Sequence, residues 1–208
     1  MNILAIGAHF DDIELGCGGA LAKHATNNDK VYAYVATKSG FSNHNNIEIR
    51  SNKIAEEEGI IAMSILGVEL IKGNFKTLEI EFNDELNKEI IKIVEEKNIE
   101  LVYTHWTGDI HHDHQAVARA SLHSCRHVTR LLMYRSNWYH SNIEFKGNFY
   151  VDITETWDKK KKSIEAHDSE MQRTGQKWIE FFLNEARNAG QRIGVGKAEV
   201  YEIVKWLI

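Results

Sequence analysis

The stretch NILAIGAHFDDIELGCGGALAKHATN, residues 2–27, decides the fold class. Residues 2–8 are a short apolar run of strand length, closed by the polar turn His9, Phe10, Asp11, Asp12. Residues 16–27 then carry apolar positions at the 3.6-residue spacing of a helix. A strand that turns tightly into a helix is the opening unit of an α/β sheet. The alternation continues along the chain. Residues 31–36 read as strand, 37–46 as polar loop, and 47–66 as helix with Gly67 as its stop. Strand-like runs follow at 68–71 and 101–104, separated by an amphipathic helix over 82–97 that puts Leu86, Ile90, Ile93 and Val94 on one face. Residues 113–127 read as helix, 130–134 and 148–153 as strands, and 154–189 as a helical region broken near Arg173 to Gly175. The spacing predicts an α/β domain with a mostly parallel central sheet flanked by helices.

Composition narrows the function. The chain has 208 residues, 43% hydrophobic and 26% charged, with 25 basic against 30 acidic side chains, which suits one globular domain with a substantial core. The formal charge of −5 supplies no excess positive field for a phosphate backbone, so general nucleic-acid binding is not expected. No apolar run approaches the roughly 20 residues that span a bilayer, and MNILAIGAHFDD has no basic segment before its apolar stretch. The expectation is a cytoplasmic protein without a transmembrane segment. Cys17 and Cys125 stand alone in no metal or redox spacing and read as small buried residues. Proline is absent, leaving Gly, Asn and Asp to end the elements, and eleven histidines stand out.

In an open α/β sheet, ligands bind beyond the carboxyl ends of the strands, where connections leave in opposite directions. Two loops expected there carry unusual side chains. One follows the first strand and holds His9, Asp11, Asp12 and Glu14; the other follows the fourth and runs His105, Trp106, Thr107, Gly108, Asp109, Ile110, His111, His112, Asp113, His114. With the first and fourth strands adjacent, as in flavodoxin-like or Rossmann-like orders, both loops open onto one crevice. Catalytic Zn²⁺ takes three nitrogen or oxygen ligands and keeps a position for water, and His9, Asp12 and His114 supply such a set. Asp11 is left free to act on the water. The plain alternative is a polar loop at a helix start, with Asp113 as cap and the histidines solvated; six histidines between 105 and 127 weigh against it.

Other features are weaker. Gly16, Gly18 and Gly19 lack the order of a phosphate-binding loop and read as a close strand-to-helix approach. Ser39, Ser42 and Ser51 lack the nucleophile-elbow pattern of serine hydrolases. Lys159 to Lys162 read as a solvated helix face. Trp106, Trp138 and Tyr139 either pack a core or stack on a sugar ring.

GAHFDDIELGCGGALAK and THWTGDIHHDHQAVARA, in this order, resemble the LmbE-like or PIG-L family of zinc-dependent N-acetylglucosaminyl deacetylases, in the Ala-His-Pro-Asp-Asp-x-Glu and His-Pro-Asp-His segments. Weaker likenesses are Arg50 with the glutamate-rich helix after it, KKKSIEAHDSE around His167, and GVGKAEVYE near the end. The likeness covers most of the chain and implies one continuous deacetylase domain over residues 1–208. It implies metal ligands at His9, Asp12 and His114, a general base at Asp11, an oxyanion-stabilising His111, and substrate contact at Arg50; on chemical grounds His111 is expected to act as a protonated ring, and either it or Asp11 to give the proton to the departing amine. The implied cofactor is Zn²⁺, with Fe²⁺ compatible with the same ligands. The implied substrate is a small amino-sugar conjugate, whether glycoside, nucleotide sugar or glycan precursor, and association into a homo-oligomer stays open. Asp109 and Asp113 are candidates for orienting the histidines, Asp113 equally for capping a helix.

Phe10 and His112 stand where the family has proline, so each loop loses a fixed φ and is expected to be less preorganised. His112 also brings an additional side chain that can bind metal. Glu170 stands where the family has Gln. These departures keep a second reading alive: a carbohydrate- or metal-binding protein of the same fold without turnover. A third is a metal-dependent amidase or deaminase acting on other amides.

Overall fold

The computed structural model describes residues 1–208. The chain begins β1 (Asn2–Gly7), α1 (Asp12–Thr26), β2 (Lys30–Thr37), then the short pair β3 (Phe41–Ser42) and β4 (Glu48–Arg50). It continues with α2 (Asn52–Leu66), β5 (Glu69–Phe75), α3 (Asp84–Glu96), β6 (Leu101–His105), α4 (His112–Ser124) and β7 (Arg130–Tyr134). The last part holds β8 (Phe149–Asp152), α5 (Trp157–Glu165), α6 (Asp168–Thr174), α7 (Lys177–Ile193) and β9 (Ala198–Trp206). No helix is long and apolar enough to cross a membrane.

Seven strands form one sheet in the order β5-β2-β1-β6-β7-β9-β8. The first five are parallel, and β9 alone runs against its neighbours β7 and β8. Side chains alternate across β1, so Ile3 and Ala5 pack with α1 and α2 while Leu4 and Ile6 pack with α3 and α4. Burial on both faces is why β1 reads as a continuous apolar run and not as an alternation. A smaller core under α5 and α7 is built from Trp157, Ile164, Trp178 and Phe182 with Leu15 of α1. The chain leaves β1 toward β2 and leaves β6 toward β7, in opposite directions. The crevice between the carboxyl ends of these two adjacent strands is therefore the switch point of the sheet.

Several boundaries differ from the periodicity. Helix α1 begins at Asp12, four residues before the expected 16. Residues 47–51 do not start α2: the Ile-Glu-Ile-Arg alternation makes strand β4, and the helix starts after Ser51, whose Oγ accepts the Ile54 N–H at 3.1 Å. Residues 154–189 break twice, at Ala166–His167 as well as at Gly175, which takes a positive φ of 67°. Strand β9 lies wholly outside the expected elements. Its inward residues are polar as well as apolar, Glu199 and Tyr201 among them, so the period-2 signal is blurred.

Glu199 also explains why the lysine run is not a uniformly solvated face. Lys160 is 2% exposed and its Nζ donates to Glu199 Oε1 at 2.6 Å and to the Leu15 carbonyl at 2.7 Å. Glu199 further accepts the N–H groups of Gly19 and Ala20 and the Tyr201 hydroxyl, tying α1, α5 and β9 together. Lys160→Met preserves most of the side-chain volume and leaves this carboxylate buried without its cation. A loss of about 3–5 kcal/mol in unfolding free energy is expected from denaturant titration.

Candidate active site

The turn after β1 and the loop after β6 meet at the switch point. Asp11 ends the turn with φ at 131°, a backbone state that non-glycine residues rarely take, and α1 begins at Asp12. On the other loop His111 caps α4, its Nδ1 accepting the Asp113 N–H at 3.2 Å, so Asp113 is not the cap. His9 Nδ1 lies 3.3 Å from His114 Nε2 and 3.2 Å from Asp12 Oδ2, and His114 Nε2 lies 3.1 Å from Asp12 Oδ1. These three side chains, with His9 and His114 105 residues apart in the sequence, converge on one point.

Carboxylates behind the ring set each histidine. His9 Nε2 meets Asp113 Oδ2 at 2.9 Å, and His114 Nδ1 meets Asp109 Oδ2 at 3.0 Å. With a proton on each of those outer nitrogens, the inner nitrogens of neutral His9 and His114 present lone pairs to one another and to Asp12. Asp113 is itself held by the Leu78 N–H at 2.7 Å, and Asp109 by the His111 N–H and the Asn137 amide. Burial opposes charge on both rings, yet Asp113 and Asp12 hold His9 up at about 9, and Asp12 and Asp109 hold His114 up at about 10. Despite its burial, Asp109 is drawn down to about 2 by His114 and by the His111 N–H.

The donor set fits a divalent cation. Three lone-pair donors stand 3.1–3.3 Å apart with no proton to share in their neutral form. Bonds of about 2.0–2.1 Å at tetrahedral angles imply ligand separations close to this. The surroundings stabilise positive charge at this point. Two wider groups overlap the triangle: His9, His111 and His114, and Asp12, His105 and His114. His105 is fully buried, stacks on His114 at 4.0 Å between centroids, and keeps Nδ1 without a partner. His112 is exposed and joins neither group.

Asp11 sits beside the triangle, its side chain 15% exposed and 3.6 Å from Arg50 Nη1. Burial, together with the charge of Asp12, pushes the Asp11 carboxyl up to about 7. His111 moves the other way, to about 4, through burial and the neighbouring His114 and His9. Its ring is therefore neutral near pH 7, not protonated as expected from the sequence, because burial and the two neighbouring rings oppose its charge. Because Nδ1 accepts a backbone N–H, the neutral ring carries its proton on Nε2. Arg50 is no surface residue: it is 3% exposed and donates to the Phe10 carbonyl, Glu58 and His167 Nδ1. His167 passes the chain on to Glu14 at 2.7 Å, all of it buried.

A cleft of about 260 Å³ opens over the triangle, bordered by Asp11, Arg50, His111, Trp138, Tyr139 and Arg173. Trp138 and Tyr139 border the cleft, whereas Trp106 is buried against Phe145. A larger cavity of about 400 Å³ lies behind Asn137, between α7 and β9, and holds no residue of the histidine cluster. The sequence reading missed Ser136, which donates to Asp12 Oδ1 at 2.9 Å, and Asn137, which bonds Asp109. Their signal is positional, since both follow directly from β7 at the same sheet edge.

The PIG-L family, described as GlcNAc-PI de-N-acetylase, matches residues 4–125, which span β1 to the end of α4. The Escherichia coli K12 protein called uncharacterized deacetylase YaiS is 39% identical over 165 residues, covering 75% of this chain and 84% of that one. Among solved structures, the N,N'-diacetylchitobiose deacetylase from Pyrococcus horikoshii superposes with a TM-score of 0.82 at 22% identity, covering 98% of this chain and 83% of that chain. GalB, the 4-carboxy-2-hydroxymuconate hydratase from Pseudomonas putida KT2440, superposes with a TM-score of 0.81 at 17% identity, covering 100% and 97%. These two likenesses show the fold, and they show it carrying different chemistries.

Proposed function

The chain belongs to the PIG-L family, and from that premise we propose that it is a metal-dependent hydrolase that removes the N-acetyl group of a GlcNAc-type sugar conjugate, giving acetate and a free amine. The observation that carries the reading is the triangle of His9 Nδ1, His114 Nε2 and the Asp12 carboxylate, with Asp11 beside it and His111 on the rim of the same cleft. His9, Asp12 and His114 would hold the cation. When bound, it supplies Lewis-acid polarisation of the amide carbonyl and of a water. Zn²⁺ suits this set and Fe²⁺ takes the same ligand types, so elemental analysis of the purified protein decides the metal.

Asp11 is the base. It takes one proton from the attacking water as the oxygen bonds to the acyl carbon, then returns it to the nitrogen as the C–N bond breaks. Its raised pKa favours that return, because a carboxylate near 7 both accepts and gives a proton near neutral pH. His111 donates Nε2–H to the oxygen on which charge develops, and it does so as a neutral ring. Arg50 borders the cleft, which supports contact with an anionic part of the substrate. Trp138 and Tyr139 border the cleft and supply the aromatic surface against which a sugar ring packs.

The test is a panel of N-acetylglucosamine glycosides, nucleotide sugars and glycan precursors, assayed with cation-loaded protein for amine and acetate in equal amounts. Release from at least one is expected. Cation binding without turnover on the panel would favour the non-catalytic binding reading. Hydration of an unsaturated acid without amine release would place the chemistry with that of GalB. Within this reading, Asp109→Asn weakens the hold on His114 without removing a ligand. Cation affinity is expected to fall about 10–100-fold in chelator competition.

A further inference from the structure

We propose that Phe10 is the positioning residue of this site: its ring, seated on α2 where Gly59 leaves room, fixes the turn that aims His9, Asp11 and Asp12. The inference rests on the roles given above to those three residues, and it concerns what holds them in place. A turn of this kind needs a constraint. Residues 8–11 connect a strand to a helix in four residues, contain no proline, and place Asp11 at a φ of 131°. Such a backbone persists only where its surroundings over-determine it.

The constraint is visible atom by atom. Phe10 is 2% exposed although it sits in a turn. A Cβ on Gly59 would lie 2.2 Å from Phe10 Cδ1, so any residue but glycine at 59 drives the ring out. The two peptide groups flanking Phe10 are both held by buried partners: its N–H donates to Ser39 Oγ at 2.8 Å, and its carbonyl accepts from Arg50 Nη1 at 3.1 Å. The turn is closed at its start as well. Thr37 Oγ1 donates to the Ala8 carbonyl at 2.8 Å, and the Ser39 N–H donates to that same hydroxyl at 3.2 Å. The loop expected to be loose for want of proline is thus held by a ring, two hydroxyls and a guanidinium. A proline at 10 would fix φ but has no N–H for Ser39. Neither Phe10 nor Gly59 borders the cleft, so their effect on chemistry passes through the turn.

The experiment is a size-exchange pair on the full chain. Gly59→Ala is expected to stay folded by near-ultraviolet circular dichroism and to lose about 10–100-fold in Zn²⁺ affinity by chelator competition, with a matching loss in kcat and little change in KM. Adding Phe10→Leu, which vacates the space the new methyl needs, is expected to recover most of both losses. A purely structural role predicts the opposite pattern, a lower denaturation midpoint with unchanged affinity. A folded Gly59→Ala with wild-type Zn²⁺ affinity, or a double variant whose losses simply add, overturns the proposal. If Gly59→Ala does not fold, Phe10→Ala carries the same test, since it leaves the seat empty. A wild type that binds Zn²⁺ but hydrolyses no N-acetyl sugar defeats the deacetylase reading alone, and the affinities still decide for or against Phe10. A wild type that binds no Zn²⁺ overturns both.

Discussion

Asp11→Asn is expected to keep its cation at one equivalent and to hydrolyse its N-acetyl substrate about 10²–10⁴-fold more slowly. The substitution is nearly isosteric and touches no ligand atom of the triangle, so the bound cation serves as the internal control. In the wild type, kcat/KM is expected to fall as pH drops through the range near 7 set by burial and by Asp12, with a bound cation moving that limb to lower pH. The variant has no such limb. Stability gives an independent check of the same charge. The folded protein holds the Asp11 carboxyl at about 7 against an ordinary 3.8, so the unfolded chain releases this proton first as pH rises. Ionised Asp11 therefore weighs against the fold increasingly between about pH 4 and 7, and fully above it. Metal-stripped Asp11→Asn is expected to unfold at higher temperature than metal-stripped wild type at pH 8, with the difference gone at pH 4. An equal midpoint at pH 8 would mean that Asp11 is not held in this environment.

The parts of this molecule that were legible in its sequence are those fixed locally. Residues 2–8 had to be a buried strand, because alternate residues of β1 pack on opposite faces and both sets are apolar. The adjacency of β1 and β6 was a condition of the sequence argument, taken from flavodoxin-like and Rossmann-like strand orders; the sheet meets it, and it brings His9 and His114 together. The start of α2 was lost because the short strand β4 runs almost directly into the helix, with only the Ser51 cap between them. Strand β9 was lost because its buried Glu199 pairs with Lys160, a partner 39 residues away that no window of sequence displays. The same limit applied at the site. Arg50, Glu58, His167 and Glu14 form one buried chain drawn from α1, α2, the end of β4 and the turn before α6. Arg50, His167 and Glu14 stood out in the sequence one by one, but nothing there shows that they bond to one another or to Glu58. The orienting roles of Asp109 and Asp113 were open in sequence, since an acid beside a helix start caps it as readily as it holds a ring. His111 takes the cap, and that frees Asp113 for His9.

Asp12→Ala is expected to bring bound cation from near one equivalent to near zero and to abolish amide hydrolysis with it. The side chain is the anionic corner of the triangle, and its surroundings leave it no other task on this scale. Both oxygens face histidine nitrogens at 3.1–3.2 Å, and His114 and His105 draw its carboxyl well below the ordinary range against the opposing effect of burial. Its structural bonds, to the His9 N–H at 2.7 Å and the Ser136 hydroxyl at 2.9 Å, hold the turn to the end of β7 but do not substitute for a charge at the centre. The result also separates two ways of holding a cation here, because His9, His111 and His114 form a second group of ligand atoms that lacks Asp12. If the all-histidine group were the site, Asp12→Ala would retain its cation, and His111→Ala would lose it. If the triangle is the site, His111→Ala keeps the cation and loses rate, because His111 then serves the developing oxyanion alone. Elemental analysis of the two untagged variants side by side distinguishes these outcomes before any substrate is known.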